Sequence, residues 1–140
     1  MSEPLTPDEI DALIEAARAV YGEFDLFAGC TAGSCAAALL ADDGDIFTGI
    51  CLDLECGMGF CAEHAAAAEM LKTRRRRVRA MVAVAVGGRE IAPPCGRCRE
   101  MLSQLHPENM SAWVILGRDH VRPLRELLPE HWLAGPWRPA

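Results

Sequence analysis

Two short stretches bring together three thiols and one carboxylic acid. Phe60-Cys61-Ala62-Glu63-His64 offers a thiol and an acid, and Pro93-Pro94-Cys95-Gly96-Arg97-Cys98-Arg99 offers two more thiols. Three thiolates can fill three of the four tetrahedral positions around a zinc ion. The fourth is then free for a water whose protons Glu63 can move, whereas a purely structural site is usually closed by four protein ligands. Zinc brings the pKa of such a water near 7, where a carboxylate can shuttle its proton. The pair suits addition of water to an electrophilic carbon.

The spacing supports this set. Cys95 and Cys98 are three residues apart at a predicted helix start, so they share a face and can grip one ion. Cys61 also opens a predicted helix, and the positive N-terminal ends of both helices favour thiolate over thiol. Three thiolates and one zinc ion sum to −1, an excess that weakens the metal as a Lewis acid. The helix dipoles offset part of it, and Arg99 is placed to offset more through hydrogen bonds to a cysteine sulfur. A lone Cys-x-x-Cys would fit a redox pair or a zinc knuckle equally well. The combination is far more specific: Cys-x-Glu at a helix start, a strand, then Pro-Cys-x-x-Cys at a second helix start.

The elements that must position these residues follow from pattern. Thr6-Pro7-Asp8-Glu9 reads as a capping box with proline at the first helical position, and Ile10, Leu13, Ile14 and Ala17 give that helix an apolar face ending near Gly22. Residues 23–34 read as loop. Apolar runs at 35–41 and 46–52 flank Asp42-Asp43-Gly44-Asp45 and predict a β-hairpin. The aspartates lack the spacing and distal glutamate of a calcium loop. A helix is expected from Cys61 to Thr73, a buried strand over 78–86, an extended stretch over 89–92 leading into the prolines, a second helix from Cys95 to Leu105, a strand over 111–116, a short extended piece at 121–122 and a helical turn at 124–128. Strands interleaved with helices imply a three-layer α/β/α sandwich, its five-stranded sheet mixed because of the hairpin. With 140 residues and no linker, residues 1–140 read as a single domain.

Composition narrows the partners. Hydrophobic residues make up 51% of the chain and aromatics 6%, which predicts a core of small side chains. A net charge of −6 argues against a nucleic acid polymer. Apolar runs are shorter than the roughly 20 residues of a membrane span, and the N-terminus lacks a signal peptide pattern, so a cytoplasmic protein is expected. Reduced thiols follow, and Cys30, Cys35, Cys51 and Cys56 read as small buried hydrophobes. Arg74-Arg75-Arg76-Arg77 reads as a solvated helix end that complements the dipole, with a phosphate or subunit contact as the sharper alternative.

Together these features resemble the zinc-dependent cytidine deaminase superfamily, across about residues 5–132. Cys35-Ala36-Ala37-Ala38-Leu39-Leu40 looks like the family's first strand. Asp43-Gly44-Asp45-Ile46-Phe47-Thr48-Gly49 looks like its hairpin, and Leu127-Leu128-Pro129 with Trp132 like its C-terminal motif. Within the family, Cys95-Gly96-Arg97-Cys98-Arg99, Leu105-His106-Pro107 and Arg125-Glu126-Leu127-Leu128-Pro129 look most like blasticidin S deaminase. The resemblance implies one zinc ion per subunit on Cys61, Cys95 and Cys98, with Glu63 as the proton shuttle. It also implies a small-molecule nucleoside substrate and a homotetramer whose active sites borrow residues from neighbours.

Three departures stand out. The family's ribose-binding Asn-x-Glu is represented here by Cys51-Leu52-Asp53, which makes Cys51 and Asp53 the expected substrate contacts, with Trp132 either covering a pocket, its own or a neighbour's, or packing in the core. Gly33 stands where an aromatic is usual. His64 stands where an arginine often tempers the thiolate charge. It either does that work or packs as a helix residue. Cytidine, deoxycytidine, a modified cytosine nucleoside and blasticidin S all stay open as substrates. A non-catalytic zinc-stabilised binding module is the alternative, and it requires a closed fourth position, filled by His64 or another cysteine.

Overall fold

The computed structural model describes residues 3–137, so Met1 and Ser2 and the last three residues of the C-terminal tail lie outside the described residues. The elements run α1 (Pro7–Val20), β1 (Phe24–Asp25), β2 (Thr31–Ala41), β3 (Ile46–Asp53), α2 (Ala62–Lys72), β4 (Val78–Ala85), β5 (Glu90–Ile91), α3 (Gly96–Leu105), β6 (Trp113–Gly117), β7 (His120–Pro123) and α4 (Leu124–Leu127). The capping box at Thr6 and Glu9 is present as expected, each side chain accepting from the other residue's backbone N–H.

The strands form one mixed sheet in the order β1-β2-β4-β6-β7, with β3 paired to β2 and β5 to β4. β2 runs antiparallel to β3 and β4, and β4 runs parallel to β6. The sheet has seven strands where five were expected. The additions, β1 and β5, are two residues long; β5 falls within the expected extended stretch 89–92, and β1 within the expected loop. Residues 23–34 are likewise not all loop. β2 begins at Thr31, and Phe24 pairs with Ala32.

Alternation along β2 builds the two faces. Ala36, Ala38 and Leu40 pack with Ile10, Leu13, Ile14 and Ala17 of α1. Leu39 and Ala41 pack on the other face with Ala66, Ala67 and Met70 of α2 and Leu102 of α3. The alanines let the layers approach closely, and Gly49 takes this furthest. A Cβ there would lie 2.3 Å from the Ala66 nitrogen and 2.6 Å from the Ala65 Cβ, so α2 rests directly on the β3 backbone.

The arginine run and the aspartate turn explain each other. Arg75 bridges Asp43 and Asp45 and lies over the Phe47 ring, and Arg77 pairs with Asp42 and Glu108. These are surface pairs of modest worth. They leave Arg75 and Arg77 engaged by carboxylates of the chain itself.

Asn109 is the polar pin of the α3 layer. It is fully buried; its Oδ1 accepts from the Val78 N–H at 2.7 Å, and its Nδ2 donates to the carbonyls of Arg76 and Leu102, each at 3.0 Å. Asn109→Ala leaves three backbone groups without partners, at about 1 kcal/mol or more apiece. We expect a loss of about 3 kcal/mol, read as a drop in the unfolding midpoint on the order of 10 °C. A loss below about 1 kcal/mol would contradict the pinning role.

Candidate active site

Cys61 and Cys95 are the N-cap residues of α2 and α3. Each is delivered by a tied segment. After β3 the chain loops back so that Phe60 and Leu52 exchange two backbone hydrogen bonds of 3.0 Å, which sets Cys61 beside the sheet. Ahead of α3, the Ala92 N–H donates to the Ala83 carbonyl at 2.9 Å, which fixes the Pro93-Pro94 approach. The stretch over 51–59 therefore carries Cys61 to the sheet.

The two motifs meet. Cys61 Sγ lies 3.4 Å from Cys95 Sγ, which lies 3.5 Å from Cys98 Sγ. His64 Nδ1 approaches Cys98 Sγ to 3.5 Å, and the donor atoms of Cys61, His64 and Cys98 all fall within 4.8 Å of one another. Four donors thus converge, and two three-donor sets are geometrically open: the three thiols, or Cys61, His64 and Cys98.

Which side each donor faces separates them. A cleft of about 650 Å³ is lined by Ser34, Cys51, Asp53, Cys61, Glu63 and Cys95, among others. His64 does not line it. It borders a separate shallow pocket with Arg97, Glu100 and Gln104. Cys95 thus faces the cleft, with His64 outside it. Glu63 is 3% exposed and lines the cleft through its burial in the first turn of α2.

The electrostatics follow from burial and helix ends. Burial holds the Glu63 carboxyl above its ordinary range, against the pull of its own backbone N–H and of the Cys98 thiol. Burial also raises Cys61 and Cys98, and the nearby Glu63 raises Cys98 further. Cys95 moves the other way. Burial works against its thiolate, but the backbone N–H groups of Cys98 and Arg97 and the neighbouring thiols outweigh it, and its pKa falls. His64 is lowered by burial and then by Arg97. Cys35, at the same cleft, is pushed up to about 12 by burial and by Glu63.

One expected contact is corrected. Arg99 does not reach a sulfur. Its Nε donates to the Pro94 carbonyl at 2.8 Å and its Nη1 to the Leu127 carbonyl at 3.0 Å, so it ties the α3 start to the end of α4. Trp132 does not line the cleft of its own chain. It is 61% exposed, packs against Trp137 with ring centroids 4.3 Å apart and the rings tilted by 48°, and its backbone N–H donates to Glu100 of α3 at 3.0 Å. Cys51 and Asp53 do line the cleft. Cys51 is 6% exposed, and its sulfur accepts from the Cys35 N–H at 3.2 Å.

Sequence reasoning missed Ser34 and Arg97 as cleft residues. For Ser34 a signal was present: a glycine at the edge of a strand pattern often marks a bulge.

No family model matches the chain. A cytidine deaminase from Halalkalibacterium halodurans is 33% identical over 96 residues, covering 66% of this chain and 72% of that protein. The chain belongs to the cytidine deaminase family. Membership makes it a deaminase enzyme. Solved structures agree with the fold. The Mycobacterium tuberculosis cytidine deaminase matches at TM-score 0.73 and 27% identity, over 89% of this chain and 97% of that one. The Burkholderia pseudomallei cytidine deaminase matches at TM-score 0.67 and 28% identity, over 87% and 98%.

The donors of this family member fit zinc, the metal the family implies. Thiolates and imidazole are its usual ligands, and tetrahedral thiolates at about 2.3 Å from one ion would stand about 3.8 Å apart. The observed separations of 3.4 and 3.5 Å are close to that. Among the described residues, no helix is long and apolar enough to cross a membrane.

Proposed function

We propose that this chain catalyses hydrolytic deamination of an aminopyrimidine nucleoside: cytidine, deoxycytidine, or a modified or analogue cytosine nucleoside such as blasticidin S. The observation that carries the reading is the buried Glu63 carboxyl, which lines a nucleoside-sized cleft beside Cys61 and Cys95. Cys61, Cys95 and Cys98 would hold one zinc ion. Zinc, when bound, activates water as a nucleophile and stabilises negative charge.

The chain's own residues do the rest. Glu63 takes a proton from the attacking water and delivers it to the substrate. The ring carbon gains an oxygen, the carbon–nitrogen bond breaks, and the amine leaves as ammonia. Burial keeps Glu63 out of bulk solvent, so its proton goes to the substrate. His64 Nδ1 lies 3.5 Å from Cys98 Sγ, and with its proton on Nδ1 it would donate there and temper the thiolate charge, work for which Arg99, held by the Pro94 and Leu127 carbonyls, is not placed. Asp53 meets the sugar.

The reading includes a homotetramer in the cytoplasm. Phe27, Met58 and Trp132, each more than 60% exposed, offer apolar side chains for contact between copies, and Trp132 would then serve a neighbour's cleft. Size measurement in solution tests the assembly.

The central test is an ammonia-release screen of the zinc-loaded protein over the four substrate classes named. Release from at least one, with a ring product one oxygen richer and one nitrogen poorer, supports the reading. No release from any overturns it. Glu63 also decides against a non-catalytic zinc module, which has no use for a buried acid at the edge of a cleft.

A further inference from the structure

The far end of the cleft is built on an irregularity in β2. Thr31 and Ala32 pair with Asp53 and Leu52, and regular pairing resumes with Ala36 opposite Ile50. Gly33, Ser34 and Cys35 thus stand opposite Cys51 alone, a bulge with two extra residues on β2. Gly33 makes it feasible. Its φ is +83°, and a Cβ there would lie 2.1 Å from the Gly22 carbonyl oxygen. This also accounts for the missing aromatic at that position, since no side chain fits.

The bulge swings Ser34 toward β3. Its Oγ donates to Asp53 Oδ2 at 3.1 Å and lies 3.3 Å from Cys51 Sγ. Thr31 Oγ1 donates to the same Asp53 oxygen at 3.4 Å, and Cys51 Sγ is a distant 4.0 Å from it. Cys51 is buried and already accepts from the Cys35 N–H. The polar atoms left for a ligand at this end are therefore the Ser34 oxygen and the second oxygen of Asp53. Both are acceptors. Asp53 has no ion pair among the described residues to balance its charge.

Resting on the reading that this cleft takes a nucleoside, we propose that Ser34 is a specificity-determining residue. It holds Asp53 in place and accepts with it from ring hydroxyls of an uncharged sugar. Cys51 shapes the site and does not touch the sugar.

The test measures binding, so it does not depend on turnover. The zinc-loaded Glu63→Gln protein is titrated with cytidine and with 2′,3′-dideoxycytidine, with and without Ser34→Ala. Losing a hydrogen bond to an oriented charged group costs about tenfold in affinity. Cytidine binding should weaken by about that factor while dideoxycytidine binding changes less than about twofold. In an Asp53→Asn background, Ser34→Ala should have little further effect, because the two residues act as one unit. Ser34→Thr, which keeps the hydroxyl, should restore binding. Thermal unfolding of each variant identifies any that fails to fold.

Equal weakening of both ligands, no weakening, additive effects in the Asp53→Asn background, or no cytidine binding by the parent would each overturn the inference. The two readings fail separately. A protein that shows this sugar dependence yet releases no ammonia overturns the deaminase reading alone. One that deaminates cytidine while Ser34→Ala binds both ligands unchanged overturns the inference alone.

Discussion

Glu63→Gln should lower turnover about 10³- to 10⁴-fold, the upper part of the range for a proton-transferring side chain. Glutamine keeps the size and most of the packing of glutamate at this 3% exposed position but cannot accept and return a proton. The variant should therefore fold normally, hold a full complement of zinc and bind the substrate. Turnover with saturating substrate, metal analysis and thermal unfolding measure the three properties separately. Turnover within about tenfold of the parent would sink the proton-shuttle role. Loss of zinc along with activity would instead indicate that Glu63 supports the metal site. A carboxylate within reach of Cys98 makes that a real alternative to exclude.

Cys95→Ala should leave the protein with little zinc and no measurable turnover. A site of three thiolates loses a third of its ligands, and the remaining pair cannot hold the ion against dialysis. His64→Ala is the informative companion. With His64 acting through Cys98, its loss should weaken zinc binding by about 10- to 100-fold and keep the stoichiometry at one. Metal analysis after exhaustive dialysis, followed by competition with a chelator, reads both. The reverse pattern, zinc kept in Cys95→Ala and lost in His64→Ala, would make Cys61, His64 and Cys98 the ligands. Zinc held by all four donors would leave the ion closed, as the binding-module alternative requires.

The deaminase signature was legible because it is local. Cys95 and Cys98 share one helical turn, and Cys61 and Glu63 share another. Helix starts are written in caps, prolines and spacing, so the sequence placed these side chains within a residue of their structural positions. The alternating alanines and leucines of β2 were readable for the same reason: a strand's two faces follow from its period. The five-strand expectation fell short at β1 and β5, two residues each: 89–92 read as extended without showing that it would pair, and β1 lay in an expected loop.

What sequence reasoning missed depends on residues far apart in the chain. Ser34 acts on Asp53 across the β2 bulge, and the bulge depends on Gly33 meeting Gly22. Arg99 had a good helical position for a sulfur contact, yet the Leu127 carbonyl claimed its guanidinium. Asn109 carried no signal in the sequence and is fully buried, with partners at Arg76, Val78 and Leu102. Each outcome turns on which backbone group lies nearest once the sheet has formed, and linear spacing does not encode that.

By itself, then, the sequence determined the chemical inventory: thiols at two helix starts, an acid two residues from one of them, and small side chains to let the layers close. Only the tertiary structure decided how these are shared. It set Cys95 on the cleft with His64 outside it, turned Arg99 and Trp132 elsewhere, and gave Ser34 a place beside Asp53. Types and periods are local properties of a chain, whereas the side of a cleft that a group faces is fixed by the packing of distant segments.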